Sequence, residues 1–106
     1  MATYLWRASY TAEGAKGLAK EGGVKRRAAI QQMLEQAGGK LHSFHFALGE
    51  NDVVGIADFP DTATAVAVSL AVNASGAVRL ETTPLLTPEE FDAAAKKSVA
   101  YRAPGA

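Results

Sequence analysis

The side chains able to do chemistry are few, and they gather on two predicted strands. His42 and His45 are the only histidines. Ser43 and His45 stand two apart in one stretch of strand-favouring residues, and Arg7 and Ser9 stand two apart in another. Residues two apart on a strand share a face, and the alternation directs these four the same way. An imidazole suits acid–base work near neutral pH, and a guanidinium suits holding a developing oxyanion. The small neighbours Ala47, Gly55 and Ala57 leave room around them. This predicts a polar-lipped pocket for a small anionic or carbonyl-bearing molecule, with Arg7, Ser9, Ser43 and His45 as its contacts. The competing expectation is a helix-packing surface with a few hydrogen-bonded polar groups.

A second candidate is the turn Gly49-Glu50-Asn51-Asp52. Asp52 is a candidate base and Asn51 a candidate carbonyl or oxyanion partner. The same residues are also what a tight turn requires, since Gly and Asn accept positive φ and Asp bonds its own backbone. His42 and His45, three apart, are expected on opposite faces, so no metal site is predicted within one chain. Lys25-Arg26-Arg27 reads as a solvated helix face, with an anion site as the lesser alternative, and Gly22-Gly23 lacks the residues of a phosphate loop. Tyr4, Trp6, Phe44 and Phe46 read as core or interface rather than as a cofactor platform. No nucleophile–base triad and no strand-paired carboxylates are present.

Charge and composition exclude several classes. Lys plus Arg and Asp plus Glu each number 11 among 106 residues, so no basic surplus exists for a nucleic-acid partner. Cysteine is absent, which removes disulfides, thiol catalysis and thiolate metal sites. No apolar run reaches the ~20 residues that span a bilayer, and the first residues lack the pattern of a secretory signal. The expectation is a soluble, cytoplasmic single domain over residues 1–98 with a flexible tail over 99–106, and with no cofactor, nucleic-acid or membrane partner.

The elements that position these residues follow from pattern. Strands are predicted over 3–9, 40–48, 53–58 and 77–83. Thr11 caps a first helical piece and Gly22-Gly23 breaks it, because two adjacent glycines cost roughly 2 kcal/mol in a helix interior. A main helix over 24–37 follows, its seam Ile30, Met33, Leu34 and Ala37. Asp61 opens a helix so uniformly apolar over 63–72 that burial on more than one side is expected. Thr87-Pro88-Glu89-Glu90 starts the last helix with a capping box, and that helix runs to about residue 98. The order βαββαβ predicts an α+β, ferredoxin-like fold with a four-stranded antiparallel sheet, one face covered by helices.

One sheet face is predicted to hold Tyr4, Trp6, Ala8, Phe44, Phe46, Leu48, Val54 and Ile56. The other is predicted to hold Leu5, Arg7, Ser9, Leu41, Ser43, His45, Ala47, Val53, Gly55 and Ala57. Either face left bare would expose an apolar patch of several hundred Å². A homo-oligomer, most simply a twofold dimer with sheets packed together, is therefore expected.

Several segments together resemble the GYD domain family. They are Gly38-Gly39-Lys40-Leu41, then Phe44 through Val54, Pro60-Asp61, Val78-Arg79 and Leu86 through Phe91. The resemblance spans roughly residues 3–98. Gly49 and Asp52 match the signature for which the family is named, whereas Asn51 stands where it has tyrosine. The family is similar to dimeric α+β barrel proteins, so the resemblance implies that fold and assembly. That superfamily includes cofactor-free monooxygenases, haem-degrading enzymes and effector-binding modules. Haem-degrading relatives carry an axial histidine on a helix; neither predicted helix seam has one, so no haem is expected. The preferred expectation is a binding or accessory domain for a small organic ligand. The alternative is a cofactor-independent, monooxygenase- or isomerase-like enzyme acting on a small carbonyl or aromatic compound, with His45 as acid–base and Arg7 on the oxyanion.

Overall fold

The computed structural model describes residues 1–106. Its elements run β1 (Ala2–Tyr10), α1 (Ala12–Glu21), α2 (Gly23–Gln36), β2 (Lys40–Phe46), β3 (Val53–Phe59), α3 (Thr62–Ala74), β4 (Val78–Pro84) and α4 (Pro88–Ala95). The strands form one antiparallel sheet in the order β2-β3-β1-β4, the ferredoxin-like arrangement expected from the element order.

Local chemistry sets the boundaries. The Thr11 hydroxyl accepts from the Gly14 N–H at 3.2 Å and donates to the Gly76 carbonyl at 3.0 Å, so one side chain caps α1 and ties it to the turn before β4. Gly22, at φ 93°, ends α1 and starts α2, a conformation that only glycine adopts without strain. Asp61 caps α3 by accepting the Thr64 N–H at 2.7 Å, and that bond holds its carboxyl below the usual range. Thr87 and Glu90 form the reciprocal capping box of α4.

The core lies between the sheet and α2 with α3. Tyr4, Trp6, Leu34, Ala57, Phe59, Ala65 and Val68 are buried together. Phe59 meets Tyr4 and Trp6 edge-on, with ring centroids 5.5 and 5.7 Å away. The α2 seam turns inward as its spacing predicts, with Leu34 buried and Ile30, Met33 and Ala37 packed against the cluster. Helix α3 departs from expectation. Ala65 and Val68 are buried, but Val66 and Leu70 are 51% and 65% exposed, so it buries one side only. Its uniformly apolar sequence erased the periodicity that would have marked the outer side.

Register decides the faces. Trp6 pairs with Gly55, Tyr4 with Ala57 and Ala8 with Val53. These pairs belong to the helix-covered face, because Tyr4, Trp6, Ala8, Val53 and Ala57 are all buried. Val53, Gly55 and Ala57 therefore line the face opposite to the one predicted, and Val54 and Ile56 lie on the bare face. Strand β2 carries a bulge between Leu41 and Ser43. The extra residue shifts its alternation. Leu41 consequently joins the covered core, while His42 reaches Asp58 on the bare side at 2.7 Å. His42 and His45 thus share a side rather than lying on opposite faces.

Every residue from Pro84 to Ala106 is exposed, including Leu86, Phe91 and Tyr101 at 64%, 63% and 78%. The radius of gyration is 16.9 Å, against roughly 13 Å for a compact domain of this length. The C-terminal arm lies off the body.

Candidate functional site: a cavity between sheet and helices

Three elements close around a cavity of about 310 Å³. The sheet supplies Trp6, Ala8, Tyr10, Phe44, Val53, Val78 and Leu80. Helix α2 supplies Arg26, Ile30 and Met33, and the end of α3 with the following turn supplies Val72, Ser75 and Ala77. The volume falls at the lower end of small-ligand sites, about 300–1,000 Å³. Of 13 lining residues 11 are hydrophobic, so burial of apolar surface would drive a ligand in.

Trp6, one of the lining residues, carries a polar atom that is buried out of reach of solvent and has no partner. Trp6 is 4% exposed, and its Nε1 makes no hydrogen bond. Indole N–H is a donor only, and leaving it unpaired in the interior costs about 1–3 kcal/mol. Its neighbours in the sheet row explain the vacancy. Gly55 on one side has no side chain. Thr82 on the other side directs its hydroxyl to Ser69 Oγ at 2.7 Å.

Beside the cavity lies a more open recess of about 510 Å³, lined by residues of α1 and the start of α2. Tyr10, Arg26, Ala77 and Val78 line both spaces and form the neck between them. Arg26 donates from Nε and Nη2 to Glu21 at 2.9 and 3.1 Å. This fork raises the Arg26 pKa and lowers that of Glu21. Burial pushes the Tyr10 phenol up, against the opposing effect of the nearby Arg26 charge.

The residues singled out from sequence lie elsewhere. Arg7, Ser9, Ser43 and His45 share the bare sheet face, not a closed pocket. One row across it reads Glu81, Arg7, Val54, His45, and the next reads Thr83, Leu5, Ile56, Ser43. Arg7 pairs with Glu81 at 3.1 Å. Val54 separates Arg7 from His45, two strand spacings or about 10 Å between backbones. Ser9 donates to the Glu50 carbonyl at 3.2 Å. Asn51 and Asp52 sit at the β2–β3 turn, where the Asp52 carboxylate accepts the Tyr10 N–H at 2.8 Å.

Sequence reasoning missed Tyr10, took Arg26 for part of a solvated helix face although it lines the cavity half-buried, and placed Trp6 only in a general aromatic cluster. The available signal was a lone tryptophan in a strand rich in aromatic residues.

No curated protein and no solved structure matches the chain. A family model does, described as the GYD domain, over residues 4–95. The match takes in β1 from Tyr4 onward, the neck residues Tyr10, Arg26 and Val78, and the turn carrying Gly49 and Asp52. By that match, which spans nearly all of the folded body, the chain belongs to the GYD domain family.

Proposed function

We propose that this GYD domain binds a small, largely apolar organic molecule in the cavity between its sheet and helices. The observation that carries this reading is a cavity of about 310 Å³ in which 11 of 13 lining residues are hydrophobic. A flat apolar body of that volume fills the cavity and gains stability from the surface it buries there.

Trp6 is the only tryptophan, so its fluorescence reports on the cavity directly. The test is a titration with acetylnaphthalene and with ethylnaphthalene, which have similar shape but differ in the carbonyl acceptor. The expected result is a saturable change in Trp6 emission with both. A tryptophan signal indifferent to both compounds overturns the reading.

The same proposal includes pairing of two copies through the bare sheet face. That face has an apolar centre of Leu5, Val54 and Ile56. Around it stand the Arg7–Glu81 pair and the Thr3–Asp58–His42 cluster. An apolar centre with a polar rim is the usual anatomy of an interface. A twofold axis would place identical centres against each other. The exposed arm supplies further unburied apolar groups, Leu86 and Phe91, beside the edge strand β4.

A further inference from the structure

The recess outside the cavity has a charge pattern that the apolar reading does not use. Three cations border it, Lys20, Lys25 and Arg26, against two carboxylates, Glu13 and Glu21. Glu21 is engaged by Arg26 through Nε and Nη2, which leaves Arg26 Nη1 without a bond in the chain. Neither lysine is in an ion pair. Arg26 lines both the recess and the apolar cavity, and so do Tyr10 and Val78. An apolar chamber and a recess bordered by three cations thus adjoin, with Arg26 in the lining of both.

We infer that the ligand is an amphiphilic anion: a compact apolar body in the cavity beside Trp6, and one anionic group in the recess held by Arg26 with Lys20 and Lys25. This inference rests on the cavity reading above and narrows it to a chemical class. Carboxylate, sulfonate and phosphate heads share the required chemistry. Arg26 is the residue that discriminates, because it alone among the three cations borders both spaces. A neutral ligand would leave its free Nη1 and both lysines to water. An anionic head gains a charge-assisted hydrogen bond at a half-buried guanidinium, where solvent screens less than at an open surface.

The test uses two dyes with the same anilinonaphthalene body. One, anilinonaphthalene sulfonate, carries an anion. The other, phenylnaphthylamine, carries none. Energy transfer from Trp6 reads binding of each. The expected result is that the sulfonate binds about fivefold more tightly at low ionic strength. Added salt should shrink that preference. Arg26→Gln should bring the two affinities together.

Two plugging variants keep dye on other surfaces from passing as cavity binding. Val78→Phe narrows the neck, and Ser75→Phe fills the cavity from the exposed end of α3; circular dichroism shows that each is folded. Both dyes should weaken on either folded variant. If the neutral dye behaves so but the sulfonate has no advantage, or keeps it in Arg26→Gln, the anion inference fails and the cavity reading stands. If both dyes ignore both plugs, the cavity reading itself fails.

Discussion

The Asp52 carboxylate accepts the backbone N–H of Tyr10 at 2.8 Å, and the Asp52 N–H donates to the Ala8 carbonyl at 2.8 Å. One residue of the β2–β3 turn thereby closes the end of β1, the end that carries Tyr10 to the neck of the cavity. The aspartate of the family signature acts here on backbone geometry. Asp52→Ala leaves a half-buried N–H unpaired and should cost about 1–3 kcal/mol in urea unfolding. Asp52→Asn keeps an acceptor oxygen and should cost less. Equal loss in both variants would show that charge, rather than the hydrogen bond, carries the contribution.

Acid stability should depend on Asp58. Its carboxylate accepts from Thr3 Oγ1 at 2.6 Å and bonds His42 Nε2 at 2.7 Å, and these bonds hold its pKa below the ordinary value. The folded carboxyl therefore titrates below its unfolded counterpart. The stability it contributes is present above the unfolded value of about 3.9 and is lost as pH falls through the lower, folded one. Melting temperatures measured from about pH 5 down to about pH 2 should fall less steeply for Asp58→Asn than for the parent. Parallel curves would refute this.

Alkaline behaviour should report Tyr10. Burial raises its phenol, so the folded protein keeps it neutral where an exposed tyrosine ionises. The sign is opposite to that of Asp58. Stability from this group is present below the unfolded value of about 10 and is lost as pH rises through the raised, folded one. Ultraviolet titration of the three tyrosines should contain a late component whose amplitude Tyr10→Phe lowers by one phenol. An unchanged late component would assign it elsewhere.

Two glycines in α1 should respond oppositely to alanine. A Cβ on Gly14 would stand 1.9 Å from the Ala77 carbonyl oxygen, in backbone that Thr11 already ties to the helix. Gly14→Ala should destabilise by at least about 1–3 kcal/mol. A Cβ on Gly17 would meet nothing within 4 Å. Gly17→Ala should stabilise by roughly 0.5–1 kcal/mol, because helical glycine loses more backbone entropy. Chemical denaturation of the pair checks both signs.

Pairing through the bare face is measured by sedimentation. The parent should run at twice the 11.0 kDa of one chain, and Val54→Lys should run as a single chain. Val54 lies in the central row of that face and is already 37% exposed, so lysine there disturbs the fold little. A parent that sediments as one chain at micromolar concentration would refute the pairing.

Much of the architecture was legible in the residues because its signals are local. The capping box at Thr87 and Glu90, the break at Gly22, the α2 seam around Leu34 and the short β2–β3 turn each act within a few positions of chain. Together they specified the element order and, through it, the ferredoxin-like sheet. The phase of β3 and the bulge at His42 were not local. Alternation gives two sets of residues on each strand, but only pairing between distant strands says which sets share a side. Trp6 met Gly55 rather than Val54 for that reason, and the small residues went to the cavity side. The cavity is a tertiary product in the same sense. Tyr10, Arg26 and Val78 are far apart in sequence, and only the packing of α1 and α2 against the sheet makes them one neck.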